Sequence, residues 1–170
     1  MIHIKPQELS KKYRVADAET VDFEELFALY CSNRFYFTYF SLPVTREQLI
    51  KDMNILPDGC EKAQKHFLAY YDKYKLIAIL DLIEGYPNEK TCYIGMLMVA
   101  KELHRQGIGT AVITELCDTL NRIGYEAVRL AYGKRYDQAK SFWTKNGFVP
   151  EKDAWLDEYG ELIVAQRELN

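Results

Sequence analysis

The chain has 170 residues, 48% apolar and 28% charged, a balance that predicts one globular domain over residues 1–170 and excludes a disordered polypeptide. A formal net charge of -3 leaves no basic surplus for nucleic acid, although local basic groups can still serve a small anionic ligand. The longest apolar runs, Leu76 to Leu80 and Ile94 to Ala100, have strand length, so no membrane span or membrane partner is expected.

A short first strand is expected at Tyr13 to Val15. A helix follows from about Val21 to Cys31, where Phe23, Leu26, Phe27 and Tyr30 share one face. The aromatic segment Phe35 to Phe40 comes next, without an assigned element. Thr45-Arg46-Glu47-Gln48 has the form of a capping box and opens a second helix, which stops near Pro57-Asp58-Gly59. The pattern then turns to strands. His66 to Tyr71 and Lys75 to Ile83 flank Asp72-Lys73-Tyr74, a hairpin signal. Thr91 to Val99 is apolar on both faces, which predicts a central strand. A long helix is predicted from about Gly107 to Ile123, with Ile108, Val112, Leu116 and Leu120 on one stripe and Gly124 as its stop. Ala127 to Ala131 reads as a strand and Asp137 to Asn146 as a short helix. Trp155 to Leu156 and Leu162 to Glu168 read as two closing strands. The order is β-α-α-β-β-β-α-β-α-β-β, an α/β (α+β) fold with a mixed sheet flanked by helices.

The informative segment is Val99 to Thr110, which joins the central strand to the long helix. Free N–H groups at a helix N-terminus form an anion site, and the helix dipole adds to it. Gly107 and Gly109 would let the backbone approach a pyrophosphate, Thr110 adds a hydroxyl, and Lys101 and Arg105 add charge. The bland alternative is a tight turn with close helix packing. The segment lacks the Gly-Lys-Ser/Thr ending of a nucleotide P-loop and the third spaced glycine of a dinucleotide fingerprint.

Leu97-Met98-Val99 followed by His104-Arg105-Gln106-Gly107-Ile108-Gly109 resembles motif A of the GNAT superfamily, the general N-acetyltransferases. Downstream, Ala139 to Phe148 is similar to motif B of the same family. The clear likeness covers Thr91 to Phe148, and two motifs in order are more specific than one. The resemblance implies a GNAT-like, mostly antiparallel sheet and transfer of an acetyl group from acetyl-CoA to a primary amine, directly and without a metal. Backbone groups of Leu97 and Val99, with Met98 between them, would line the pantetheine arm. Amides from Arg105 to Thr110 would hold the pyrophosphate, and His104 could donate a further hydrogen bond. The Leu97 amide would stabilise the thioester oxygen as charge develops. Transfer also needs a base to keep the amine neutral and an acid for the leaving thiolate.

Three positions depart from the family pattern. His104 stands where Arg or Gln is usual, Tyr136 where motif B has Asn, and Trp143 where it has the Tyr that serves many members as acid. The indole N–H cannot supply a proton at useful pH. Trp143 is therefore expected to pack and to line the cofactor channel. Tyr136 and Tyr132 are the nearest substitute acids, unless the thiolate leaves unprotonated. For the base, Asp81 interrupts the apolar run Leu76 to Leu80, with Glu84 three residues on. It is either a structural hydrogen-bond acceptor or a base and amine anchor.

The stretch Phe35 to Phe40, with Tyr70 and Tyr71, would line an acceptor pocket or pack as core. His66 reads as a structural strand histidine. Lys134-Arg135 would touch the cofactor's ribose phosphate or form a solvated loop. Cys31, Cys60, Cys92 and Cys117 form no Cys-x-x-Cys pair and no metal-ligand spacing with histidine, and read as reduced thiols. The N-terminus lacks a signal-peptide layout, so the cytoplasm is the expected location. The partner would be a small-molecule or protein amine, and the closing hairpin can pair with a second copy in a homodimer. The rival reading is an acyl-CoA-binding sensor that has lost catalysis. A third is a mixed-sheet domain whose glycine turn is only structural.

Overall fold

The computed structural model describes residues 3–170. In chain order the elements are β1 (Arg14–Asp17), α1 (Phe23–Ser32), α2 (Arg34–Phe40), α3 (Arg46–Asn54), β2 (Lys65–Asp72), β3 (Lys75–Glu84), β4 (Thr91–Val99), α4 (Ile108–Arg122), β5 (Ala127–Gly133), α5 (Asp137–Lys145), β6 (Val149–Leu156) and β7 (Gly160–Glu168). The strands form one sheet in the order β1-β2-β3-β4-β5-β7-β6. Only β4 and β5 run parallel, joined by the crossover helix α4. The expected mostly antiparallel mixed sheet is present.

Side chains alternate across each strand, so the sheet builds two cores. Leu68, Tyr70, Leu80, Leu82, Ile94 and Leu130 pack beneath α4 and α5. Phe67, Ala69, Tyr71, Ile79, Met96 and Met98 pack beneath α1, α2 and α3. On α4, Val112, Leu116 and Leu120 are fully buried, as their stripe predicts. Asp22 accepts hydrogen bonds from the Glu24 and Glu25 amides and starts α1. Thr45 caps α3 through the Gln48 amide, whereas the Gln48 side chain reaches Asp52 instead of closing the box.

The expected order lacked one helix: the aromatic segment forms α2. Six of its seven residues, all but Arg34, are aromatic or β-branched and form helix weakly, so tertiary packing makes it. Phe37 is buried against Tyr30, ring centroids 4.6 Å apart. Ser41 adopts a left-handed conformation (φ 54°) that ends the helix. Tyr39 lies on the backbone of Gly133, where an added Cβ would sit 2.3 Å from the ring. Its hydroxyl accepts a hydrogen bond from the Arg135 amide (3.0 Å), which fixes α2 to the end of β5. The last hairpin also starts earlier than expected. β6 begins at Val149 and forms an exposed edge that pairs only with β7.

The close approach at Gly133 makes a prediction. Gly133→Ala should destabilise the protein by about 1–3 kcal/mol in urea denaturation, the usual cost of overpacking a fitted contact. In a Tyr39→Ala background the same change should cost much less.

Candidate active site

β4 and β5 pair only over Thr91–Ile94 and Ala127–Leu130. Beyond Ile94, β4 stays with β3 up to Val99, while β5 stays with β7 up to Gly133. The two strands therefore part in mid-sheet. The cause lies in the β3–β4 register, which steps from Asp81–Met96 to Leu82–Ile94. Gly95 is the extra residue of a β-bulge, and a bulge bends its strand away from its neighbour. A Cβ at Gly95 would lie 2.4 Å from Asp81 Oδ2, so only glycine fits beneath that carboxylate.

Strand alternation gives the direction of the groups in the gap. The Ala100 amide donates to Ile77 O (2.9 Å), on the β3 side. The N–H and C=O groups of Val99 and Leu97 thus turn to the opposite side, where β5 has departed. The Val99 carbonyl is already engaged. It accepts from Asn33 Nδ2 at 3.2 Å and from His104 Nε2 at 2.8 Å. His104 braces the turn against β4 with the nitrogen that the resemblance had offered to a phosphate. The Leu97 N–H and C=O and the Val99 N–H face the gap.

The gap leads to the start of α4. Arg105 and Gly107 both take left-handed conformations (φ 64° and 79°), and no side chain caps the helix. The first intrahelical bond runs from the Ala111 amide to Gly107 O (3.0 Å). The amides of Ile108, Gly109 and Thr110 therefore have no helical acceptor, and all three residues line a cleft of about 1180 Å³. The two glycines have different reasons. Gly107 supplies the left-handed turn. Gly109 lets α5 approach, since a Cβ there would meet the Phe142 ring at 2.9 Å. Close packing and a ready anion site coexist in one turn.

The same cleft is lined by Leu97, Met98, Val99, His104, Arg105, Tyr136, Trp143 and Asp81. Of the turn from His104 to Thr110, Gln106 alone does not line it, and its side chain turns back to Glu102 O (3.4 Å). Among the described residues no group of three or more His, Cys, Asp or Glu side chains could hold a metal ion.

The Acetyltransferase (GNAT) family model matches residues 23–148. The chain belongs to the GNAT family. No curated protein matches it. Solved structures with the same fold include an acetyltransferase from Thermus thermophilus, at a TM-score of 0.78 and 18% identity, covering 93% of this chain and 97% of that one. The ribosomal-protein-S18-alanine N-acetyltransferase of Escherichia coli aligns at a TM-score of 0.68 and 13% identity, covering 93% and 94%. The PaiA N-acetyltransferase of Thermoplasma acidophilum, solved in complex with coenzyme A, aligns at a TM-score of 0.64 and 17% identity, covering 92% and 98%.

In this GNAT chain the gap and the glycine turn form one half of the cleft. The other half lies under α2, α3 and the β6–β7 turn, and Asp81 stands at the junction. Asp81 is 7% exposed. Lys65 Nζ lies 2.9 Å from each of its oxygens, with hydrogen-bond geometry only to Oδ2. Oδ1 makes no hydrogen bond among the described residues. Burial pushes the carboxyl up to about 6, against the opposing pull of Lys65 and with a smaller push from Asp52. Asp81 is thus both ion-paired and poised to change protonation near neutrality.

Glu84, the second carboxylate of β3, is structural. It is fully buried and accepts from Tyr125 OH (2.7 Å), His66 Nε2 (2.8 Å) and the Ile4 amide (3.3 Å). Those donors hold its carboxyl below the usual range despite the upward push of burial. His66 is the structural strand histidine expected.

Tyr136 lines the cleft with its ring against Tyr39 and Phe35, centroids 4.7 and 5.4 Å away. Burial raises its phenol. Tyr132 also lines the cleft, and its buried hydroxyl has no hydrogen-bond partner among the described residues. Trp143 packs edge-on between Phe142 and Phe148 (4.9 and 5.2 Å), as expected of core that borders the channel.

The aromatic segment divides. Tyr36 and Phe40 line the cleft, Phe37 is core and Phe35 is 62% exposed. Tyr70 and Tyr71 are buried in the sheet and do not line the cleft, so they take the core alternative of their two readings. Lys134 is ion-paired with Asp153 (2.7 Å) on the surface, away from the cleft. Sequence reasoning missed Asn33, Asp52, Lys65, Tyr93 and Tyr159, because nothing in their local pattern marks them. Asp52 reads as one more polar residue of an amphipathic helix.

Asp81 carries a prediction about stability. Between pH 3.8 and about 6 the folded protein holds a proton on Asp81 that the unfolded chain has lost. Stability from this group therefore falls as pH rises through that window and is level above it. In urea denaturation, the wild type should lose about 2 kcal/mol relative to Asp81→Asn between pH 4 and pH 6, the slope staying below the full value of about 1.4 kcal/mol per pH unit near each end of the window.

Proposed function

We propose that this GNAT protein transfers an acetyl group from acetyl-CoA to a primary amine of a small molecule or a protein, by direct attack within a ternary complex. The observation that carries the reading is the slot between β4 and β5, which ends at the free amides of α4. An extended thioester arm fits beside β4 as an added strand, with its pyrophosphate at Ile108, Gly109 and Thr110 and Arg105 alongside. A reduced, cytoplasmic setting suits the four free cysteines.

In this reading Asp81 anchors the incoming ammonium above Gly95 and, with water, draws off its proton. The neutral amine forms a C–N bond to the thioester carbonyl carbon. The Leu97 N–H holds the resulting oxyanion. Collapse breaks the C–S bond, the leaving thiolate takes a proton from Tyr136, with Tyr132 as the second phenol within the cleft, and the second proton lost by the attacking nitrogen restores the phenol. The products are the acetamide, the free thiol of coenzyme A and one proton. Tyr132 has a specific claim, since its buried hydroxyl has no competing acceptor among the described residues.

The test is calorimetry with acetyl-CoA on wild type and Arg105→Glu, followed by thiol release with an amine panel. Arg105 is exposed, so its replacement should leave the fold intact. The wild type should bind, and the variant should bind about 10–100-fold more weakly, as expected when a charge-assisted phosphate contact becomes a repulsion. Failure of the wild type to bind would sink the reading. Binding without amine-dependent thiol release would mark an acyl-CoA-binding regulator.

A further inference from the structure

We infer that the acceptor is an aliphatic diamine or longer oligoamine, a chain with a second ammonium and no carboxylate. This rests on the transferase reading and narrows its acceptor. The acceptor half of the cleft is acidic and aromatic. Asp52, Asp58 and Asp81 line it, together with the rings of Tyr36, Tyr93 and Tyr159. The basic residues that line the cleft, His104, Arg105 and Lys145, all belong to the glycine turn or to α5.

An amino acid or a peptide C-terminus would bring its carboxylate toward these acids, where Lys65 is already engaged by Asp81, and uncompensated like charge in a partly buried site is costly. An ammonium meets the opposite. Lys65 already shows how the site holds one, since its Nζ contacts the Asp81 carboxylate and the Asp52 carbonyl at 2.9 Å each. That lysine answers one of the three carboxylates.

Asp81 Oδ1, on a residue only 7% exposed, makes no hydrogen bond among the described residues. It sits at the Gly95 bulge, in register with Met96 and so one residue from Leu97 along β4, where the reacting amine must come. Asp52 stands further along, half-buried on α3. One of its oxygens accepts from Tyr30 OH and the other from Gln48 Nε2, so the carboxylate is held in place with lone pairs to spare. Asp58 follows in the loop after α3 and is exposed. A chain anchored at Asp81 by its reacting amine can thus present a second ammonium to Asp52 and Asp58. Its methylenes would cross the tyrosine faces, which favour both apolar contact and cations.

The experiment compares three probes of similar length by calorimetry at pH 7.5: 1,5-diaminopentane, pentylamine and 5-aminopentanoate. Each is titrated into the free protein and into the protein saturated with coenzyme A. The diamine should bind at least about tenfold more tightly than pentylamine, with aminopentanoate weakest. Asp52→Asn should remove most of the diamine's advantage and leave pentylamine unchanged. Asp58→Asn, at an exposed position, repeats the test where folding is not at stake. Equal binding of the three probes, tighter binding of aminopentanoate, or no binding of any would overturn the inference. Titration of the free protein keeps that result separate from the transferase reading, which fails if acetyl-CoA itself does not bind.

Discussion

The parting of β4 from β5 is the constraint on which the rest of this structure depends. A sheet is held together by its ladder of backbone hydrogen bonds, and opening one in mid-sheet leaves polar groups that need partners. Here the opening is local. One extra residue, Gly95, bends β4 while β3 keeps hold of it, and β7 keeps hold of β5. The result is a slot with backbone donors on its wall and a helix N-terminus at its end. Both features come from the main chain, so the site's basic chemistry needs few particular side chains.

That explains how the chain can depart from its family at three side-chain positions and keep the same architecture. His104 takes the Val99 carbonyl and stiffens the turn. Trp143 fills space between Phe142 and Phe148. Tyr136 packs against α2 at the rim. None of these changes disturbs the amides of α4. Trp143 alone removes a phenol that the family pattern carries, and the cleft retains those of Tyr132 and Tyr136.

Asp81 connects the two halves of the site. Its carboxylate covers Gly95, which shapes the slot, and pairs with Lys65 at the head of β2. The burial that raises its protonation range also strengthens its attraction to any ammonium brought beside it. Structural and chemical roles are thus not alternatives for this residue. A side chain that covers the bulge also brings a carboxylate into the cleft.

Much of the architecture was legible in the order of residues. Long amphipathic stripes such as that of α4, and apolar runs such as β3 and β4, are set by short-range periodicity, and the glycine turn between β4 and α4 is contiguous in the chain. The segment Phe35 to Phe40 was not legible as a helix, because α2 forms from contacts with Tyr30 and Gly133 and not from propensity. The acceptor half was hidden for the same reason. Asp52, Lys65, Tyr93 and Tyr159 come from four separate elements or turns, and only the folded sheet brings them together. By itself the sequence determined which backbone turn leaves its amides free at a helix start and which family's pattern surrounds it, since both reside in contiguous residues. The tertiary structure decided where β4 leaves β5 and which charges line the cleft, because a bulge's register and a cleft's lining are set by pairing between distant segments.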